Sequence, residues 1–181
     1  MRLWKRKKAW KSEGQMLMGR INIILITVIS LIIQGSLLVL FTFNGRQPDL
    51  LLIVVVCFSI MWGSREGALV GVTAGLIQDI LFSRFLGVFA LTKMLAGYLS
   101  GFTEKNIYRD FVLGPMLVVL VMTLLQEGLV YILSGELTRL SLGTVFMQII
   151  LPKALYNFCL TPFIYLFIYF ANEKKFFRPF R

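Results

Sequence analysis

From Ile21 to Phe43 the chain runs 23 residues without a single charge, broken only by Asn22, Gln34, one glycine and a few hydroxyls. A stretch of that length and character is sufficient to cross the roughly 30 Å hydrocarbon core of a bilayer as a helix. Within lipid, every backbone polar group must be paired inside the segment, which leaves helices and closed barrels as the only spanning forms. Apolar continuity, rather than strict alternation, selects the helix here. Five further apolar runs follow: Asp49–Trp62, Gly67–Phe82, Leu86–Phe102, Phe111–Leu133 and Thr144–Phe170. Hydrophobic residues make up 57% of the 181 residues and charged ones 15%, too little polar surface to cover a water-soluble domain of this size. The fold class expected is an all-α integral membrane protein, a bundle of six transmembrane helices.

The polar breaks divide these runs. Asn44-Gly45-Arg46-Gln47-Pro48 reads as a turn, and Pro48 suits the first turn of the next helix, where its missing N–H costs nothing. Arg65-Glu66 and Ser83-Arg84 separate the second, third and fourth runs, and Glu104-Lys105 with Arg109-Asp110 bracket a longer loop. The second and third runs are short enough to suit a tilted or a partly re-entrant pair. Pro152 and Pro162 should kink the last run. Ile21–Phe43 is too long for the apolar core of a signal peptide, and no small-x-small cleavage pattern follows it.

Charge sets the orientation. With the N-terminus inside, fourteen of the 19 Lys/Arg are cytoplasmic, and only Arg46, Arg84 and Arg139 are external. Lys93 and Lys153 fall within spans. This asymmetry agrees with the positive-inside rule, whereas five spans would export a basic end. Both termini are therefore expected in the cytoplasm. Residues 1–20 form a basic arm, 21–171 the six-span domain and 172–181 a basic tail. Trp4 and Trp10 interleave with the cations of the arm, and Phe176, Phe177 and Phe180 with those of the tail. Basic residues beside a span attract anionic lipid and aromatics favour the interface, so the high net charge is read as topology and lipid contact, not nucleic-acid binding.

The composition removes whole classes of chemistry. The chain has no histidine, so serine triads, HExxH zinc sites and histidine proton shuttles are unavailable. Cys57 and Cys159 stand far apart, each in an apolar run, with no CxxC, and read as inert thiols. No metal, cofactor or catalytic residue is expected, and the loops are too short to build a soluble catalytic site.

Two features stand out within the spans. Gly67, Gly71 and Gly75 share one face of the third run, and Gly97 and Gly101 repeat the spacing on the fourth. Small residues at this spacing let helix backbones approach closely, either inside the bundle or against a partner helix. The second feature is a set of polar residues at similar depth. At 1.5 Å per residue, Asp79 lies about 5 Å below the outer boundary, Glu127 about 9 Å, Lys93 about 10 Å and Lys153 about 13 Å. Gln78, Gln126 and Gln34 fall in the same half. Two carboxylates and two ammoniums balance, and a lone intramembrane charge costs about 2.5–3.5 kcal/mol on the lenient insertion scale, so these groups should find one another. Asp79 and Lys93 are expected to pair across the hairpin closed at residues 83–85. The cluster fits a structural tie, an outward-facing polar pocket or a docking surface.

Pro48-Asp49 before an apolar span resembles the rod shape-determining MreD family. So do Gly67-x3-Gly71-x3-Gly75-Leu-Ile-Gln78-Asp79-Ile-Leu-Phe82, Leu86-Gly87 and Gly97-Tyr98-Leu99-x-Gly101, and the last span with Lys153, Tyr156-Asn157 and Pro162 is similar to that family's closing segment. The resemblance covers roughly residues 44–170. It implies a non-enzymatic scaffold subunit of the bacterial cell-elongation machinery, working with MreC, MreB, RodA and a class B penicillin-binding protein. It also implies a fold similar to the six-helix substrate-binding subunits of energy-coupling-factor transporters. The alternative function is thus a vitamin-type small-molecule binding subunit of a transporter, although the first span lacks the Ala-x3-Ala those subunits use toward their membrane partner.

Overall fold

The computed structural model describes residues 25–36, 47–82, 86–105, 112–133 and 142–173. Among these, all regular structure is helical: α1 (Leu25–Ser36), α2 (Leu50–Trp62), α3 (Ser64–Phe82), α4 (Val88–Gly101) with a 3-10 turn at Phe102–Lys105, and α5 (Leu113–Leu133). The last helix, α6, runs through Leu142–Val145, a π-helical turn at Phe146–Ile150 and Leu151–Glu173. Two segments, Leu113–Leu133 and Gly143–Ala171, are by length and composition long and apolar enough to cross a membrane. The basic arm and tail, and most of the loop positions named above, lie outside the described residues.

α2 is the centre of the bundle. Its sequence, Leu-Leu-Leu-Ile-Val-Val-Val-Cys-Phe-Ser-Ile-Met-Trp, has no polar stripe, and Leu50 through Met61 are all buried. A helix apolar on every side can satisfy itself only by being surrounded. α3, α4, α5 and α6 all pack against it, and Leu31 of α1, Val70, Ala96, Val119 and Tyr165 complete the core around it. The lipid-compatible residues are those left outside, such as Leu69 and Ile80 on α3, Leu117 on α5 and Phe167 on α6.

Several boundaries depart from the sequence expectation. Pro48 does not open a helical turn: Asp49 is the N-cap of α2, its carboxylate accepting from the Leu52 N–H at 3.0 Å. A side chain that can satisfy an orphan N–H outcompetes proline for this position. Arg65 and Glu66 do not break the chain either, since α3 starts at Ser64 and takes both into its first turn. The turn between α2 and α3 is compressed into Gly63, whose φ of 94° suits glycine and whose N–H reaches the Ser59 carbonyl at 2.8 Å. In α6, Pro152 cannot donate to the carbonyl four residues before it and its ring crowds that carbonyl. The π turn directly before Pro152 widens the helix there.

Candidate functional site: a buried charge cluster

The helix packing brings polar residues from α2, α4, α5 and α6 to one place. Lys93 Nζ donates to the Asp49 carboxylate at 2.5 Å and to Gln126 Oε1 at 3.3 Å. Gln126 Nε2 donates to the same Asp49 oxygen at 2.8 Å and, more weakly, to Glu127 at 3.4 Å. Lys153 Nζ donates to Glu127 at 2.7 Å. Asn157 accepts from the Asp49 backbone N–H at 2.9 Å and donates to Thr123 at 3.0 Å. Thr123 in turn donates to the Val119 carbonyl at 2.7 Å. Asp49, Lys93, Thr123, Gln126 and Asn157 are all essentially inaccessible, while Glu127 and Lys153 keep a small exposed edge.

The charges sum to zero, two carboxylates against two ammoniums. In a low-dielectric interior a paired, fully hydrogen-bonded arrangement is tolerable, whereas one member left alone is expensive. Asp49 spends both oxygens, one on the α2 N-terminus and one on Lys93 and Gln126. It therefore answers the positive end of the α2 dipole and the buried ammonium together. Lys93 also lies 5.8 Å from the centroid of the Phe89 ring, a contact that favours the cation.

Of the seven polar residues placed at similar depth from the sequence, four, Lys93, Gln126, Glu127 and Lys153, come together. The expected Asp79–Lys93 pair does not form. Asp79 instead accepts the backbone N–H groups of Gly87 at 3.0 Å, Phe89 at 3.1 Å and Ala90 at 2.9 Å. These are orphan donors at the start of α4, whose N-cap, Gly87, has no side chain of its own to offer. Lys93 cannot turn toward Asp79, because its own backbone is pressed against α3 at Gly71. Its side chain leaves α4 on the side facing α2 and α5. Gln78 is buried on α3, with its Oε1 lacking a hydrogen-bond partner.

The glycine stripe explains how α3 and α4 come so near. A Cβ at Gly67 would meet the Gly97 carbonyl at 2.6 Å, one at Gly71 the Lys93 carbonyl carbon at 2.7 Å, one at Gly75 the Ala90 nitrogen at 2.6 Å, and one at Gly101 the Gly63 carbonyl carbon at 2.6 Å. All five glycines thus line a single antiparallel crossing, where the Ser59 hydroxyl of α2 also donates to the Gly97 carbonyl. Contact at this range needs helices without side chains between them. It also brings Asp79 within reach of the α4 N-terminus.

Asp49, Thr123 and Asn157 were not among the candidates from the sequence. A signal for Asp49 exists in hindsight: the 13 residues of α2 rise only about 20 Å, short of a roughly 30 Å core, so its N-cap must lie deep and need a partner. Asn157 sits one turn beyond Lys153 and so shares its face. Among the described residues, no group of three or more Cys, Asp or Glu is placed to hold a metal ion, and no hydroxyl or thiol in the cluster stands against a base. The hydrogen bonds and ion pairs of the cluster tie α2, α4, α5 and α6 to one another.

Comparison with curated proteins and with solved structures returned no match. The family described as rod shape-determining protein MreD does match, over residues 15–174. That span takes in α1 to α6 and every residue of the cluster, so the chain belongs to the MreD family of rod shape-determining membrane proteins.

Proposed function

We propose that this protein is a non-enzymatic scaffold of the bacterial cell-elongation machinery, crossing the plasma membrane six times with both termini in the cytoplasm. The observation that carries the reading is the cluster itself. Its charged groups are turned toward one another across α2, α4, α5 and α6, consuming in helix-to-helix ties the donors and acceptors that a ligand or a reaction would need. In this reading α2 crosses within the bundle, enclosed by the other helices rather than by lipid. Family membership and the fourteen-to-three Lys/Arg asymmetry support the same conclusion. The fold likeness to energy-coupling-factor binding subunits belongs to the proposal as well.

The partner of first choice is MreC, through its single span. The glycine stripe is occupied by the α3–α4 crossing, so a partner helix would meet the exposed side chains of these helices, such as Leu69 and Leu76 on α3 and Leu91 and Tyr98 on α4. MreB, RodA and a class B penicillin-binding protein would join through the same assembly. The test is co-purification with MreC after detergent extraction. Replacing these four side chains should weaken recovery, whereas complex formation by residues 1–20 alone would refute the intramembrane scaffold. Depletion should turn rods into spheres; a growth defect relieved by a vitamin would instead support the transporter-subunit alternative.

A further inference from the structure

α6 is anchored unevenly along its length. From Lys153 onward it is fixed at every turn: Lys153 pairs with Glu127, Asn157 bonds the Asp49 backbone and Thr123, and Thr161, Tyr165 and Ile168 are buried, the last two in the core around α2. Pro162 lies inside this clamped stretch. Residues 142–150 are held differently. Among their described side chains only Val145 and Ile150 are buried, and they pack with Tyr131 of α5 in a small apolar cluster apart from the main core. Phe146, Met147 and Gln148 are exposed. Gly143 and, on α5, Gly128 border open space, since nothing lies within 4 Å of a Cβ at either.

The two parts join where the backbone ladder is weakest. The Leu151 N–H reaches back to the Phe146 carbonyl across a π turn, and the next residue, Pro152, has no N–H to give. Helices bend at prolines and π turns, because a missing or stretched backbone bond no longer resists tilting. A segment beyond such a point that buries few apolar side chains opens at less cost than the rest of the fold. Tyr131, on which the segment rests, stands one turn from Glu127 on α5 and shares its face. Glu127 and Lys153 are also the members of the charge cluster that keep an exposed edge. We infer that residues 142–150 are a flap, hinged at the π turn and Pro152 and closed on Tyr131, whose opening uncovers the Glu127–Lys153 ion pair while the Asp49–Lys93 pair stays enclosed. The Glu127–Lys153 pair is the fixed side of the hinge. It fastens α6 to α5 one residue beyond Pro152 and so confines the motion to the segment before it. Asp49 and Lys93 are held from α2 and α4, which the flap does not carry.

The experiment is double electron–electron resonance on the full chain in detergent, with spin labels on Met147→Cys in the flap and Ile80→Cys on α3. Both positions are exposed, so the labels disturb no packing, and the background carries Cys159→Ala, Cys57 being buried. Two separate distances are expected, one for the closed and one for the open flap. Tyr131→Ala removes the surface on which the flap closes and should raise the open fraction severalfold. Pro152→Ala restores the backbone donor and should abolish the open fraction. A single distance in all of these proteins overturns the proposal. So does one broad distribution, which means that the helix end frays rather than swings, or an open fraction that survives Pro152→Ala. A second measurement does without labels on the flap. Alkylation of Gly128→Cys by a small water-soluble reagent should quicken on the order of tenfold when Tyr131→Ala is added, whereas Leu69→Cys on the outer face of α3 should react at an unchanged rate. Equal acceleration at both sites means a general loosening of the bundle, and none at Gly128→Cys means that the flap covers nothing; either result overturns the proposal.

Discussion

Lys93 Nζ lies 2.5 Å from the carboxylate of Asp49, a residue 44 positions earlier in the chain, and neither side chain is accessible. The two come from helices that both border α3, yet they meet on the side of α4 away from it. Everything else in the cluster is arranged around this contact: Gln126 bonds both members, and Asn157 holds the Asp49 backbone.

The pair should be coupled energetically. Lys93→Gln strands a buried carboxylate and should cost about 3–5 kcal/mol, as breaking a buried pair does. The double change Asp49→Asn with Lys93→Gln should recover much of that loss, because no uncompensated charge remains. Thermal unfolding of the four proteins in detergent gives the cycle, and additive losses would exclude the contact.

Asp79 should behave differently. Asp79→Ala removes the acceptor for three N–H groups at the start of α4 and should cost roughly 1–2 kcal/mol, the range for losing a helix cap. Asp79→Asn keeps an acceptor and should cost less. Combined with Lys93→Gln, either change should add to within about 0.5 kcal/mol, the behaviour of independent sites. Strong coupling would show that Asp79 and Lys93 interact after all.

The α3–α4 crossing should tolerate no side chain. Gly71→Leu should abolish the yield of folded protein, and even Gly71→Ala should lower it, since the new methyl meets the Lys93 backbone. Gly128→Ala on α5 is the control, because nothing lies within 4 Å of a Cβ there. In a helix that change should be neutral or stabilise by up to about 1 kcal/mol. Size-exclusion recovery of monodisperse protein reads the difference.

Topology can be read by cysteine labelling in intact cells. A cysteine at Gln47 or Thr138 should react with an impermeant reagent, and one at Lys8 or Lys175 should not. The reverse pattern would overturn the proposed orientation.

The helical class and the order of the apolar runs were legible from the chain alone, because apolar continuity and polar breaks are local properties. The glycine face was legible for a related reason, since glycines at i, i+4 and i+8 share one helix face whatever the helix packs against; that it packs on α4 and not on a partner helix was decided by the tertiary structure. Lys93, Gln126, Glu127 and Lys153 could be named as intramembrane polar groups, since a charge inside an apolar run is conspicuous and must be compensated. Which groups would compensate them was not. Depth along the spans put Asp79 within reach of Lys93, but depth ignores the direction in which a side chain leaves its helix. Only the tertiary structure decided that direction. The close approach at Gly71 turned Lys93 away from α3, the unfilled N-terminus of α4 claimed Asp79, and the burial of short α2 carried Asp49 into the interior as the counter-ion. Sequence determines how many charges must be balanced; the rotation of each helix about its axis, set by packing with residues far away in the chain, determines which ones balance each other.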